Sequence, residues 1–401
     1  MNASGFIASK LKFSGTVAMV CIAISFLIMI VSVSIASGFR REISDGISFV
    51  SGDIQLLPQN MNYAGDSEPI DAKPSFYGRI DSIKGVKSIN PVIYRAGILK
   101  SGEAISGVLF KGLPDNPDLL KKAHLDAYGK DSLTLQASVP RKLADQLGLK
   151  EGDNLQVYFI GSKVKVRKFT VKSICEDLIS VGDYQMVYTN LADLQRLNGW
   201  TEDKASALEI NLDESYRSNS KTAEISSDIG SIALLFAGDE DPSLVSVPTF
   251  KRYPQIFDWL KLIDFNVLFI LVLMTIVAAF NMISGLLILL FRNISTIGTL
   301  KTLGMTDSNI VRVFLKVSSV LVLKGMAVGN VIALLFCLIQ SATHLIGLNP
   351  ENYSVSFVPV RINWGLILGA DALSFLVIML ILLIPSLFIS RVDPADTVRV
   401  S

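Results

Sequence analysis

The sequence predicts a membrane α-helical protein of four transmembrane helices, with a large α+β extracytoplasmic domain inserted between helices 1 and 2. Three observations predict it. Of the 401 residues, 50% are hydrophobic and only 18% charged, and the mean hydropathy of +0.47 is high for a soluble chain. Four apolar runs, at residues 17–37, 265–290, 311–340 and 363–389, are each long enough to cross a bilayer, which takes about 20 residues of helix. Between the first two runs the composition changes: prolines and glycines punctuate short alternations of apolar and polar residues, the pattern of strands.

Residues 1–13 carry Phe6, Ile7, Leu11 and Phe13 with Lys10 and Lys12, which suits a short interfacial helix with its lysines toward anionic headgroups. Residues 17–37 then make a retained span. The rival, a cleaved signal peptide, would have a shorter apolar core and a small-residue cleavage site that this stretch does not offer. Together these pieces form a first segment, 1–38. The α+β domain, 39–255, opens with a strand near 51–58 and a short amphipathic helix at 77–86, stopped by Gly85 and flanked by strands. Residues 143–153 read as a helix followed by a turn. Residues 155–160 and 164–171 pair as a hairpin about Gly161, Ser162 and Lys163. A strand at 184–189, a helix at 191–197 and a strand at 207–212 complete the layout, and a domain of this size can bury its own core.

The last segment, 256–401, holds spans two to four. Span two ends at Arg292-Asn293. In the polar run that follows, Ile294, Ile297, Leu300 and Leu303 recur every third residue, which lines them up on one side of a short helix at 292–306. Gly304 ends that helix, and Thr306 or Asp307 caps the next. The reading is a helix at the membrane face whose apolar side could dock into a cleft on another protein; the alternative is a tight turn between two spans. In span three, Gly325 and Gly329 form a small-xxx-small pair that lets helices approach closely. Lys10 and Lys12 before span one, with Arg292, Lys301, Arg312 and Lys316 around the short helix, put the termini and that helix in the cytoplasm and the α+β domain outside.

Two charges stand where the bilayer disfavours them. Lys324 lies well inside span three and Asp371 well inside span four, and an unpaired charge at such depth costs several kcal/mol, about 3 or more by insertion scales. The two spans are antiparallel neighbours in sequence, so the expectation is a buried Lys324–Asp371 ion pair. A proton or ion path, or separate snorkelling to water, are the alternatives.

Other chemistry is missing. A net charge of +1 gives no case for nucleic acid. There is no Gly-x-x-x-x-Gly-Lys-Ser/Thr loop, so the chain itself is expected to bind no ATP. The two histidines, His124 and His344, are far from each other and from the three cysteines, Cys21, Cys175 and Cys337; a metal site needs three or four clustered ligands, and none is expected. No serine has the nucleophile-elbow context of a hydrolase. Nothing here argues for an enzyme.

The wording of two stretches goes further. Ala278-Ala279-Phe280-Asn281-Met282-Ile283-Ser284-Gly285-Leu286, then Ile297-Gly298-Thr299-Leu300-Lys301-Thr302-Leu303-Gly304-Met305-Thr306, closely resembles the FtsX-like ABC transporter permeases, most of all their LolC/LolE lipoprotein-releasing branch. Where that family usually has a Glu-Lys pair before the loop and an acidic residue inside it, this chain has Arg292-Asn293 and Thr296. Residues 82–86, 143–153 and 169–174 resemble, in family order, the extracytoplasmic domain of LolC, LolE and MacB. The tail at 391–399 resembles the family's Pro-x-x-x-Leu-Arg-like ending, with Val398 at the leucine.

The resemblance implies a type VII ABC permease without its own ATPase. It would work as a homodimer or with a paralogue, above a dimer of a separate LolD-like ATPase that carries ATP and Mg. In the LolC/LolE branch, lipoproteins are drawn from the outer leaflet of the inner membrane and handed to a LolA-like periplasmic carrier. The short helix is then the coupling helix, with Ile294, Ile297, Leu300, Lys301, Leu303 and Gly304 as its coupling residues. Acyl chains need an apolar groove where spans one and two leave the outer leaflet. Ile35, Phe39, Phe49, Val50, Phe265 and Phe269 stand near that depth, with ordinary helix packing as the alternative. The hairpin tip at Gly161, Ser162 and Lys163 is the candidate carrier contact, the alternative being a LolE-like tip without a hook. Two other functions fit the layout: a MacB-like efflux or export permease, and an FtsX-like transmembrane signal transmitter controlling periplasmic cell-wall hydrolases.

Overall fold

The computed structural model describes residues 16–61, 68–101, 104–128, 133–161, 163–175, 185–238, 242–348 and 355–386. They divide into two units. Of the described residues, one takes those up to Arg41, within Trp259–Gly347 and from Phe357 to Ser386; the other takes those within Glu42–Asp258 and Leu348–Ser356. In chain order the first elements are α1 (Thr16–Ser51), β1 (Ile54–Pro58), β2 (Ile70–Asp71), α2 (Tyr77–Asp81), β3 (Val86–Ser101), β4 (Ala104–Leu113) and α3 (Pro117–Lys122). Then come β5 (Gln136–Pro140), α4 (Arg141–Leu147), β6 (Asn154–Phe159), β7 (Lys165–Cys175), β8 (Gln185–Asn190) and α5 (Leu191–Asn198). The series continues with β9 (Lys204–Ala205), β10 (Ala207–Leu212), α6 (Asn219–Phe236), β11 (Leu244–Pro248) and α7 (Thr249–Arg252). It closes with α8 (Pro254–Arg292), α9 (Ile294–Thr302), α10 (Asp307–Thr343) and α11 (Trp364–Ser386).

The membrane unit is built on four helices long and apolar enough to span a bilayer: α1, α8, α10 and α11. They are apolar nearly all round, as helices must be when one face meets neighbours and the other meets lipid. Phe26 and Met29 of α1, Met282 of α8, Phe314 of α10 and Leu382 of α11 are buried together. Lipid is as apolar as leucine, so packing depends on close approach rather than on exclusion of water. The expected small-xxx-small pair supplies it. A Cβ on Gly325 would lie 2.8 Å from Ile22 Cγ2, and one on Gly329 would collide with the Ala23 carbonyl. The backbones of α1 and α10 therefore touch.

The sequence breaks the first span at Gly38, yet α1 runs on to Ser51. A mid-helix glycine costs about 1 kcal/mol relative to alanine. Here it is required by space, because a Cβ would overlap the Pro359 carbonyl. Beyond it, Ile43, Ile47 and Val50 are buried, an apolar stripe at helical spacing that continues the helix.

The α+β unit has a nine-stranded sheet in the order β11-β1-β10-β3-β4-β8-β5-β7-β6, with a further pairing of β3 to β6. That last pairing, Gly97↔Phe159 to Lys100↔Gln156, closes β3, β4, β8, β5, β7 and β6 into a ring, a barrel filled by its inward side chains. Phe110 sits in its middle, with ring centroids 5.2 Å from Phe159 and 5.0 Å from Phe169. The first half of β3 leaves the ring and pairs with β10, which carries β1 and β11. Helix α6 covers this extension, its Ile225 and Ile229 packing with Ile54 and Ile210. The predicted hairpin is β6–β7, antiparallel from Asn154↔Thr170 to Phe159↔Lys165.

Candidate functional site

The break between α8 and α9 is made by Asn293, whose side-chain amide donates to the Leu289 carbonyl at 2.8 Å. Helix α9 ends in a Schellman motif: Met305 N–H donates to Leu300 O and Gly304 N–H to Lys301 O, both at 3.0 Å, with Gly304 left-handed at φ +85°. Glycine is needed there because other residues are strained at that φ. Thr306 then starts α10 through its backbone carbonyl, which accepts from Asn309 N at 2.9 Å. Lys301 Nζ lies 2.9 Å from Asp307 Oδ1, tying the end of α9 to the start of α10, where an acid is favoured. The predicted helix, its glycine stop and the next cap are all present.

Its orientation differs from the expectation. Ile297 is only 1% exposed and lies in the core of the membrane bundle, while Leu300 and Ile294 are half-buried. The apolar stripe thus docks on its own bundle, the nearest apolar surface. The outward face carries Ser295, Thr296, Thr299, Thr302 and Gly304, with Leu303 standing out at 78% exposure.

The six candidate groove residues also separate. Phe49 and Val50 are buried in the core of the α+β unit with Leu57, Tyr94 and Tyr188, so they line no lipid groove; they belong to the part of α1 that packs on the sheet. Ile35 and Phe39 are half-buried on α1, Phe39 meeting Trp259 edge-on at 6.5 Å, and Arg40 pairs with Asp264 at 3.0 Å. One turn apart on α8, Phe265 and Phe269 are both exposed. At the β6–β7 tip, Gly161 is half-buried and Lys163 exposed, with Ile160 and Val164 also exposed; Ser162 lies outside the described residues.

The expected Lys324–Asp371 pair does not form. Lys324 is on the exposed side of α10. Asp371 is buried on α11 and accepts from the Asn330 side chain at 2.6 Å. Two residues six apart on a helix differ by about 240° around its axis, so a depth estimate alone could not tell the face of Lys324 from that of Asn330.

A charged pair is buried in the α+β unit. Lys111 of β4, fully buried, donates to Glu209 Oε2 at 2.8 Å and to the Phe49 and Val50 carbonyls at 2.8 and 2.9 Å. Those carbonyls are among the unpaired acceptors that end α1, where a cation is favoured. Tyr94 hydroxyl donates to Glu209 and takes a bond from Gln55 Nε2 at 2.9 Å. Burial pushes the Lys111 ammonium down and the Glu209 carboxyl up, each opposed by the other's charge; burial and Glu209 push the Tyr94 phenol well up. Arg217 adds a second grip, reaching Asp45 of α1 at 2.5 Å and Asp53 at 3.1 Å. The signal was in the alternation: Lys111 shares a strand face with Leu109 and Leu113, both buried. Among the described residues, no three of histidine, cysteine, aspartate and glutamate gather to hold a metal.

Four apolar spans, an α+β domain inserted after the first and a short helix between the second and third define a multi-pass membrane protein. Residues 268–394 match the FtsX-like permease C-terminal family. This C-terminal part of the chain is thus similar to the permease domain of that family, and the chain has four helices long and apolar enough to cross a membrane. It is 20% identical to the lipoprotein-releasing system transmembrane protein LolE of Haemophilus influenzae, over 94% of this chain and 91% of that one. It is 21% identical to LolC of Xylella fastidiosa, over 99% and 95%. Among solved structures, the periplasmic region of MacB from Actinobacillus actinomycetemcomitans is similar with a TM-score of 0.33 and 10% identity, over 53% of this chain and 97% of that one.

Proposed function

We propose that this permease draws lipoproteins from the outer leaflet of the inner membrane and passes them to a LolA-like periplasmic carrier, driven by a separate LolD-like ATPase dimer that holds ATP and Mg. The observation that carries the reading is the similarity to LolE and LolC along 94–99% of the chain. A second permease copy or a paralogue completes the assembly. The ATPase docks on the outward face of α9, around Leu303, and Lys301 keeps that helix fixed to α10. Acyl chains lie along Ile35, Phe39, Phe265 and Phe269, and the Gly161–Lys163 tip meets the carrier.

The test is release of a radiolabelled lipoprotein from proteoliposomes holding permease and ATPase, with ATP and carrier outside. Leu303→Asp leaves the protein folded and in the membrane but lowers ATP-driven release by roughly tenfold or more, the equivalent of about 1.4 kcal/mol of docking. Unchanged release in Leu303→Asp overturns the docking face. No release by the unaltered assembly overturns the substrate.

A further inference from the structure

Asp371 and Asn330 form a polar contact inside the membrane unit that is incomplete in a specific way. Asn330 Nδ2 donates to Asp371 Oδ2 at 2.6 Å. The other oxygen of each group, Asp371 Oδ1 and Asn330 Oδ1, is buried without any hydrogen-bond partner. Both are acceptors, so neither can satisfy the other while Asp371 is ionised. Asp371 is 5% exposed, and the polar groups nearest it in sequence are already engaged: Ser374, one turn on in α11, is paired with Thr275 of α8 at 3.0 Å.

No countercharge answers the carboxyl. The other titratable side chains within the apolar runs are Cys21 of α1 and Arg312, Lys316, Lys324 and Cys337 of α10, and no ion pair joins any of them to Asp371; α8 has none between Asp264 and Arg292. Lys324 lies on the exposed side of α10. An ionised carboxylate with one amide bond in an apolar interior is among the costliest arrangements a protein can hold.

We infer that Asp371 binds a proton on Oδ1 and stands as the neutral acid, closing a two-bond ring with the Asn330 carboxamide. Asn330 Nδ2–H donates to Oδ2, and Oδ1–H donates to Asn330 Oδ1. One proton satisfies both unpartnered oxygens and removes the buried charge. Spans three and four are thereby fastened by a neutral clasp whose second bond exists only while the proton is present. The site is a proton site, and it stands independently of the lipoprotein reading.

Infrared spectroscopy of the full-length permease in lipid nanodiscs, with carboxyl-labelled aspartate, tests this directly. A protonated-carboxyl band is expected at neutral pH, shifted by the label and lost in Asp371→Asn. Asparagine at 371 offers the same donor and acceptor without needing a proton. Asp371→Asn should therefore keep the unaltered thermal midpoint, and keep it in mildly alkaline buffer where the unaltered protein loses some. Asn330→Leu keeps the band but moves it to higher frequency, because the acid loses its acceptor. Absence of the band overturns the proposal. So does an Asp371→Asn variant as destabilised as Asp371→Leu, or a midpoint that rises with sodium but not choline salts, which would mean a bound cation in place of the proton. If the leucine variants do not assemble, the band and the salt comparison decide alone.

Discussion

Glu209 and Asp371 are equally hidden, at 4% and 5% exposure, and they are kept in different company. Glu209 lies in a sheet, where side chains of neighbouring strands converge. It receives a lysine, a tyrosine hydroxyl and a glutamine amide. Asp371 lies in a helical bundle, where backbone groups are spent within each helix and only side chains of facing spans are left. It receives one amide. A sheet can gather a full set of partners around a buried acid; two packed helices offer one or two, and the missing partner has to come from solution.

The comparison can be broken first at its stronger end. Lys111→Met leaves Glu209 without its cation and the Phe49 carbonyl without its side-chain donor, and should cost about 3–5 kcal/mol, the usual penalty for stranding one member of a buried pair. Unfolding of the full-length protein in detergent would measure it, and Lys111→Met with Glu209→Leu should recover much of the loss. If the double variant is no better than the single, the pair is not the unit of stability.

A smaller effect comes from a carboxylate that keeps its water. Asp126 is hydrogen-bonded by Lys172 at 2.7 Å and by Gln136 at 3.1 Å, and these bonds hold its carboxyl below the usual range. A lowered folded value means that the stabilisation is present above the ordinary carboxylate pKa and lost as pH falls through the lowered one. Asp126→Asn should flatten that acid limb of a stability–pH curve and lose the same small increment at neutral pH, where the contact is fully formed. Screening makes the step small, and an unaltered acid limb would show the contact to be worth nothing.

The smallest effect is expected at Lys324. Its ammonium faces outward and pairs with no acid, so Lys324→Leu should leave the thermal midpoint within the equivalent of about 0.5 kcal/mol. A large loss would restore the ion pair that span depth alone suggests.

These residues also show what the sequence could and could not convey. Spans, the Gly304 stop and the β6–β7 hairpin were legible because each rests on local pattern: length, periodicity and turn chemistry. The 292–306 helix was legible too, but its facing was not. A three-residue apolar recurrence says that one side seeks apolar surface; it does not say whose, and Ile297 found its own bundle. A helix ending near Gly38 would leave Phe49 and Val50 near the outer leaflet, whereas α1 runs to Ser51 and places them in the core of the α+β unit. The long β3–β4 hairpin is harder to read, because Pro91, Gly97 and Gly107 interrupt its alternation as well as the turn does. Lys111 and Glu209 lie 98 positions apart, and only the ring of strands brings them together.

That ring has a consequence for how the domain behaves among its own kind. Among the described residues, β11 is the strand of the nine-stranded sheet that pairs on a single side. It spans five residues and terminates at Pro248, which has no N–H to offer an incoming strand. Proteins confined to a membrane surface meet one another often, and an open sheet edge invites strand-by-strand association. By curling most of its edges into a barrel and leaving a brief, proline-ended one, the domain can crowd beside its copies without zipping onto them.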